Sequence, residues 1–175
     1  MYWLDNSYEA IARFMVQGGD VLWLIAAITF TMWMLVFERI WYFRTGLRRD
    51  VGVAIASWEQ RAERKSWNAR QIRRATIADM HSQIYTYLPL IKTLVALCPL
   101  CGLLGTVTGM IEVFNIMAVT GGGDAKSMAG GVSRATIPTM AGMVVAISGV
   151  FASEYVSRVA KREHTLVQDR LTADH

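Results

Sequence analysis

An all-α integral membrane protein with three transmembrane helices is the fold class that this sequence predicts, and three observations predict it. Of 175 residues, 53% are hydrophobic and 18% charged, against roughly 25% charged in soluble domains. Three stretches carry no charge: Val21 to Phe37, Thr93 to Ile111 and Ala135 to Ser153. Each approaches the ~20 apolar residues, with about 17 as the lower limit, that a spanning helix needs. The basic residues, finally, fall in alternate connecting segments, as a threaded chain requires. A disordered chain would hold less apolar material. A disulfide framework is excluded because both cysteines, Cys98 and Cys101, lie inside the second stretch.

Residues 1–20 read as an interfacial amphipathic helix on the periplasmic side. Leu4, Tyr8, Ile11 and Met15 share one helical face, and Trp3 and Tyr8 suit a membrane surface. The segment lacks the basic start of a signal peptide. Gly18-Gly19 is the expected break before the first span, residues 21–43. That span closes on Glu38-Arg39 and the aromatics Trp41, Tyr42 and Phe43, which read as an interfacial belt with a snorkelling arginine. Residues 44–87 are mostly helix formers without proline and predict long cytoplasmic helical extensions, the last running into span two, residues 88–119. Residues 120–130 form a periplasmic loop whose Thr120-Gly-Gly-Gly-Asp124 lacks the lysine and hydroxyl of a phosphate-binding loop. Residues 131–157 form span three, and 158–175 a cytoplasmic tail.

Charge sets the orientation. Eleven lysines and arginines lie between Arg39 and Lys92, and four between Arg158 and Arg170. Only Arg13 precedes the first span, and only Lys126 and Arg134 separate the second and third. Basic segments stay in the cytoplasm, which predicts a multi-pass membrane protein with its N-terminus outside and its C-terminus cytoplasmic. The basic loop is then a topology signal. No nucleic-acid motif accompanies it, and the expected surroundings are the lipid bilayer.

The candidate site lies in spans two and three. Ala135, Thr139, Gly142, Ala146, Gly149 and Ser153 share one face and are all small; Cys98, Gly102, Thr106 and Gly109 form a similar stripe. Such a face in lipid serves close helix packing, or it walls a bound helix or a water path. Spacing alone does not separate the two. Thr106 and Thr139 can donate and accept hydrogen bonds, which a water path would use, or can bond to their own helix. Glu112 sits near one end of span two with no basic residue at helical spacing, and intramembrane acids often mark ion paths. Pro99 and Pro138 read as tolerated kinks. His81, His164 and His175 read as solvated side chains. No metal-ligand cluster, no catalytic motif and no cofactor signature is present, so neither an enzyme nor a cofactor is expected.

Two segments, Pro99-Leu-Cys-Gly-Leu-Leu-Gly-Thr-Val-Thr-Gly109 and Gly130-Gly-Val-Ser-Arg-Ala-Thr-Ile-Pro-Thr-Met-Ala-Gly142, together with Phe37-Glu-Arg-Ile-Trp-Tyr-Phe-Arg44, resemble the ExbB/TolQ proteins, relatives of the flagellar stator subunit MotA. The resemblance covers roughly residues 21–48 and 88–157. It implies a homo-oligomer, a pentamer, around the helices of an ExbD-like single-span protein whose aspartate carries protons. It implies a molecular motor, driven by the proton-motive force, that energises a TonB-like protein for uptake of iron-siderophores or cobalamin. Thr106 and Thr139 match the family's pore-facing threonines, and Gly102, Gly109, Ala135, Gly142, Ala146 and Gly149 would then admit the partner helices. Glu112 and Arg134 are accessory charges. Many family members carry glutamate at the position of Arg134; an arginine stays protonated and cannot relay a proton. A TolQ-like motor for outer-membrane integrity, or a structural scaffold without proton flux, is the alternative.

Overall fold

The computed structural model describes residues 2–60, 66–120 and 125–170. These form five helices: α1 Tyr2–Arg44, α2 Gly46–Glu59, α3 Trp67–Tyr85, α4 Leu88–Thr120 and α5 Ala125–Arg170. No strand occurs among the described residues. Three stretches are long and apolar enough to cross a membrane: Gly18–Arg44, Trp67–Val119, which runs over α3 and α4, and Met128–Arg170. The chain is an all-α membrane protein with three such helices.

Its contacts separate into two units, one of Met1–Trp33 and Thr93–Val150, the other of Met34–Lys92 and Phe151–His175. In the first, Leu22, Ile25, Met32, Val95, Cys98, Val113 and Ala135 are buried. The break expected at Gly18-Gly19 falls at Gly19, the one non-helical residue inside α1, with φ 64° and ψ −162°. A side chain at that φ would meet its own backbone, so glycine is the residue that turns the helix here. Beyond the turn, Phe14 and Met15 line an apolar cavity of about 460 Å³ with Phe30 and Trp33. The face of Leu4, Tyr8 and Ile11 lies outside the described side chains, and the glycine loop at 121–124 and His175 lie outside the described residues.

In the second unit Leu47, Trp58, Ala69, Met80, Ile84, Val156, Ala160 and Val167 are buried. Ser66 caps α3, its side chain accepting from the Ala69 N–H at 3.1 Å. Two expectations are corrected here. Arg39 does not snorkel to water: it is 5% exposed. Its Nε meets Glu38 Oε2 at 2.8 Å, its Nη1 donates to the Gln83 carbonyl at 3.0 Å, and its guanidinium lies 5.1 Å and 4.8 Å from the ring centres of Tyr42 and Tyr87. Fixed partners on every side outweigh the pull of the interface. Nor does the last cytoplasmic helix run into span two. Thr86 leaves helical geometry and Tyr87 takes φ 64°, so α3 and α4 are separate helices.

Of the histidines, His81 is exposed as expected, and His164 departs from expectation. His81 on α3 stacks on Tyr85, ring centres 4.4 Å apart, and meets His164 of α5 edge-on at 4.9 Å. His164 is half-buried, its Nε2 lies 3.0 Å from Gln168 Nε2, and its Nδ1 is buried with no hydrogen-bond partner among the described residues.

Candidate functional site

Within this chain, Gly102 and Gly109 of α4 pack against Thr139 and Ala135 of α5, and Gly142 of α5 packs against α4. A Cβ built on Gly142 would lie 2.5 Å from the Cys98 carbonyl oxygen; one on Gly102, 2.9 Å from the Thr139 Cα; one on Gly109, 2.6 Å from the Ala135 Cβ. Gly149 is occupied from the other side, by Met32 and Val95. Gly102, Gly109, Ala135 and Gly142 therefore form a seam between α4 and α5. The physical reason is dispersion: in lipid there is no hydrophobic drive between helices, and small residues let backbones approach until van der Waals contact and interhelical hydrogen bonds hold them. Ala146 is half-buried and Ser153 buried. The bulky side chains Leu100, Leu103, Leu104, Val107, Met140, Met143, Val144 and Ile147 point outward, each exposed by more than 45%.

A polar bond crosses the seam. Thr139 Oγ1 donates to the Gly102 carbonyl at 2.9 Å. Thr106 Oγ1 donates within its own helix to Leu103 at 2.7 Å. The two threonines that sequence singled out thus have different duties: Thr139 links α5 to α4, and Thr106 satisfies α4 alone. Both hydroxyl protons are committed, so in this conformation each oxygen offers lone pairs only. Cys98 Sγ donates to the Leu94 carbonyl of its own helix at 3.3 Å, and Cys98 and Cys101 are both free thiols. No group of three or more metal-ligating side chains occurs among the described residues.

The accessory charges do come together. Glu112 and Arg134 line one cavity of about 420 Å³ with Asp20, Thr108, Gly105 and Pro138. Asp20 and Thr108 are the residues that sequence reading missed. Thr108 stands one turn before Glu112 on α4, and that i, i+4 relation was the available signal. Asp20 follows the glycine turn of α1, and its placement depends on the angle of that turn.

The sequence profile of the MotA/TolQ/ExbB proton channel family matches residues 24–169. The biopolymer transport protein exbB1 of Vibrio cholerae is 34% identical over 96 residues, 51% of this chain and 42% of that protein. The biopolymer transport protein ExbB of Xanthomonas campestris pv. campestris is 34% identical over 90 residues, 51% of this chain and 35% of its own. ExbB-like 1 of Synechocystis is 52% identical over 61 residues, 33% of this chain and 24% of its own. The chain matches between a quarter and about two fifths of the length of these relatives.

Proposed function

The chain belongs to the MotA/TolQ/ExbB proton channel family, and from that membership we propose that it is the ExbB-type subunit of a proton-driven complex in the bacterial inner membrane. The observation that carries the reading is the extent of the family match, 24–169, which takes in the charge-free stretches of all three apolar helices almost whole. The named relatives are biopolymer transport proteins, and uptake is the activity assigned here.

In this reading the subunit performs no covalent chemistry. Several copies, a pentamer by resemblance, enclose the helices of an ExbD-like partner whose carboxylate takes up and releases protons. Thr106 and Thr139 line the path. The reading adapts to the seam in one respect. The glycines hold α4 against α5, and the partner helices contact the outward bulky side chains of these helices. Rotation of the partner against the ring energises a TonB-like protein for import of iron-siderophores or cobalamin. The N-terminus is periplasmic and the C-terminus cytoplasmic.

The test is native mass spectrometry of this chain co-expressed with the single-span protein encoded beside its gene. A mixed complex of a pentamer and partner supports the reading; a homo-oligomer that never captures a partner overturns it. A structural scaffold without proton flux is the second reading, favoured by the seam being filled from within. Proton flux in liposomes holding the purified complex decides between them.

A further inference from the structure

We propose that the cavity shared by Asp20, Thr108, Glu112 and Arg134 is a water-filled vestibule inside each subunit, which gathers hydrated monovalent cations, hydronium among them, before they reach the threonines. The inference rests on the channel reading and gives it an access route.

Its first support is the lining. About 420 Å³ has room for on the order of ten waters. Two carboxylates and one guanidinium border it, so its formal charge is −1. Between apolar helices, fixed charge of one sign focuses the field and concentrates the opposite ion. Arg134 prevents the site from being a pair of bare acids. It limits how tightly a cation is held, as a passage requires.

The second support is the backbone. Pro138 has no N–H, so the carbonyl of Arg134, four residues earlier in α5, loses its helical partner. A carbonyl at membrane depth without a partner needs protein or water, and Arg134 and Pro138 both line this cavity. Thr108 Oγ1 donates to the Leu104 and Gly105 carbonyls, each at 3.1 Å, which leaves its lone pairs for a water or a hydronium. The kink becomes part of a wall rather than a tolerated irregularity.

The third support is position. The cavity reaches Gly105 and Pro138, the chain neighbours of Thr106 and Thr139. At its other end it is bounded by the glycine turn of α1, Gly18 to Asp20. Gly19 places Asp20 there, because a helix continued through that residue would carry the carboxylate elsewhere.

The experiment is thiol accessibility. In a chain with Cys98 and Cys101 replaced by alanine, Thr108→Cys is exposed to a cationic and to an anionic membrane-impermeant methanethiosulfonate, in cells from the outside and in inverted vesicles from the inside. The expected result is labelling from the outside, roughly tenfold faster with the cationic reagent. The preference should collapse with Asp20→Asn and Glu112→Gln and rise with Arg134→Gln. Val107→Cys, on the outward apolar face, should stay unlabelled. A residue 108 thiol that is inert from both sides, or one that prefers the anionic reagent, overturns the vestibule. Labelling from the inside alone keeps the vestibule and overturns the orientation on which the channel reading relies. Normal labelling with no proton flux keeps it and overturns the channel reading itself. If Thr108→Cys does not accumulate, Ile116→Cys on the same lining takes its place.

Discussion

The guanidinium of Arg39 lies 4.8 Å from the ring centre of Tyr87, a residue held at φ 64° between α3 and α4. A bulky residue in the left-handed region is strained, at roughly 1–3 kcal/mol, and persists only where its surroundings impose it. Here they do: Arg39 is buried, bonded to Glu38 and to the Gln83 carbonyl, and faced by two tyrosines. Arg39→Leu should therefore lower stability by roughly 2–4 kcal/mol, because it removes a charged hydrogen bond and a cation–π interaction together. Arg39→Lys should recover only part, because an ammonium has no flat face to lay on a ring. Thermal unfolding of the detergent-solubilised protein measures both, and an unchanged midpoint for the leucine variant would sink the account.

Thr139→Val keeps the shape of the side chain and removes the bond to the Gly102 carbonyl. Interhelical hydrogen bonds of this kind contribute roughly 0.6–2 kcal/mol in membranes, so assembly should survive. Proton-driven uptake should fall, and Thr139→Ser should retain it. Uptake that is normal with valine would remove Thr139 from the path and leave it a purely structural link.

The seam makes opposite forecasts for two glycines of one helix. A Cβ at Gly142 meets a backbone carbonyl that cannot move aside, whereas one at Gly130 meets nothing within 4 Å. Gly142→Ala should destabilise the α4–α5 pair by about 1–3 kcal/mol. Gly130→Ala should be neutral or stabilise by up to about 1 kcal/mol through helix propensity. The two variants, melted side by side, check the packing; equal midpoints would refute it.

The His81–His164 pair lies outside the charge-free runs Thr93 to Ile111 and Ala135 to Ser153 and should respond to acid. Burial, and then the charge of His81, hold His164 below the usual imidazole range. From α3 it faces His81 and Tyr85, and from α5 Gln168. A group whose folded value is lowered stabilises the fold fully above its unfolded value, near pH 6.5, and the contribution is lost as pH falls from there through the folded value. The midpoint of the wild type should drop more steeply from pH 7.5 to 5 than that of His164→Gln. Parallel curves would mean that the pair does not titrate with folding.

Much of this is legible in the linear chain. The three spans follow from charge-free length, and the break at Gly19 from a glycine pair before an apolar run. The small faces of α4 and α5 are legible as faces, and what they turn toward is not. Periodicity reports which residues share a side of a helix and is silent on the neighbour, so Gly102 and Gly142 read equally well as seam or as pore wall. Arg39 escapes a sequence reading for a related reason. Its carbonyl acceptor comes from Gln83, forty-four positions away, and Tyr87 from a turn that Pro89 marks in sequence without showing what the tyrosine meets. The cavity shows the same limit: Glu112 and Arg134 stand out as charges in apolar segments, whereas Asp20 joins them only through the angle that Gly19 imposes.

Because the glycine-rich segments of α4 and α5 are spent on holding one subunit together, they are a recipe for making the building block rather than for choosing its company. The traits that distinguish one machine from another would then be written in the outward residues, Leu103, Val107, Met140, Met143 and Val144, where exchange leaves the hairpin intact. Grafting those five positions between two relatives tests whether they select the partner.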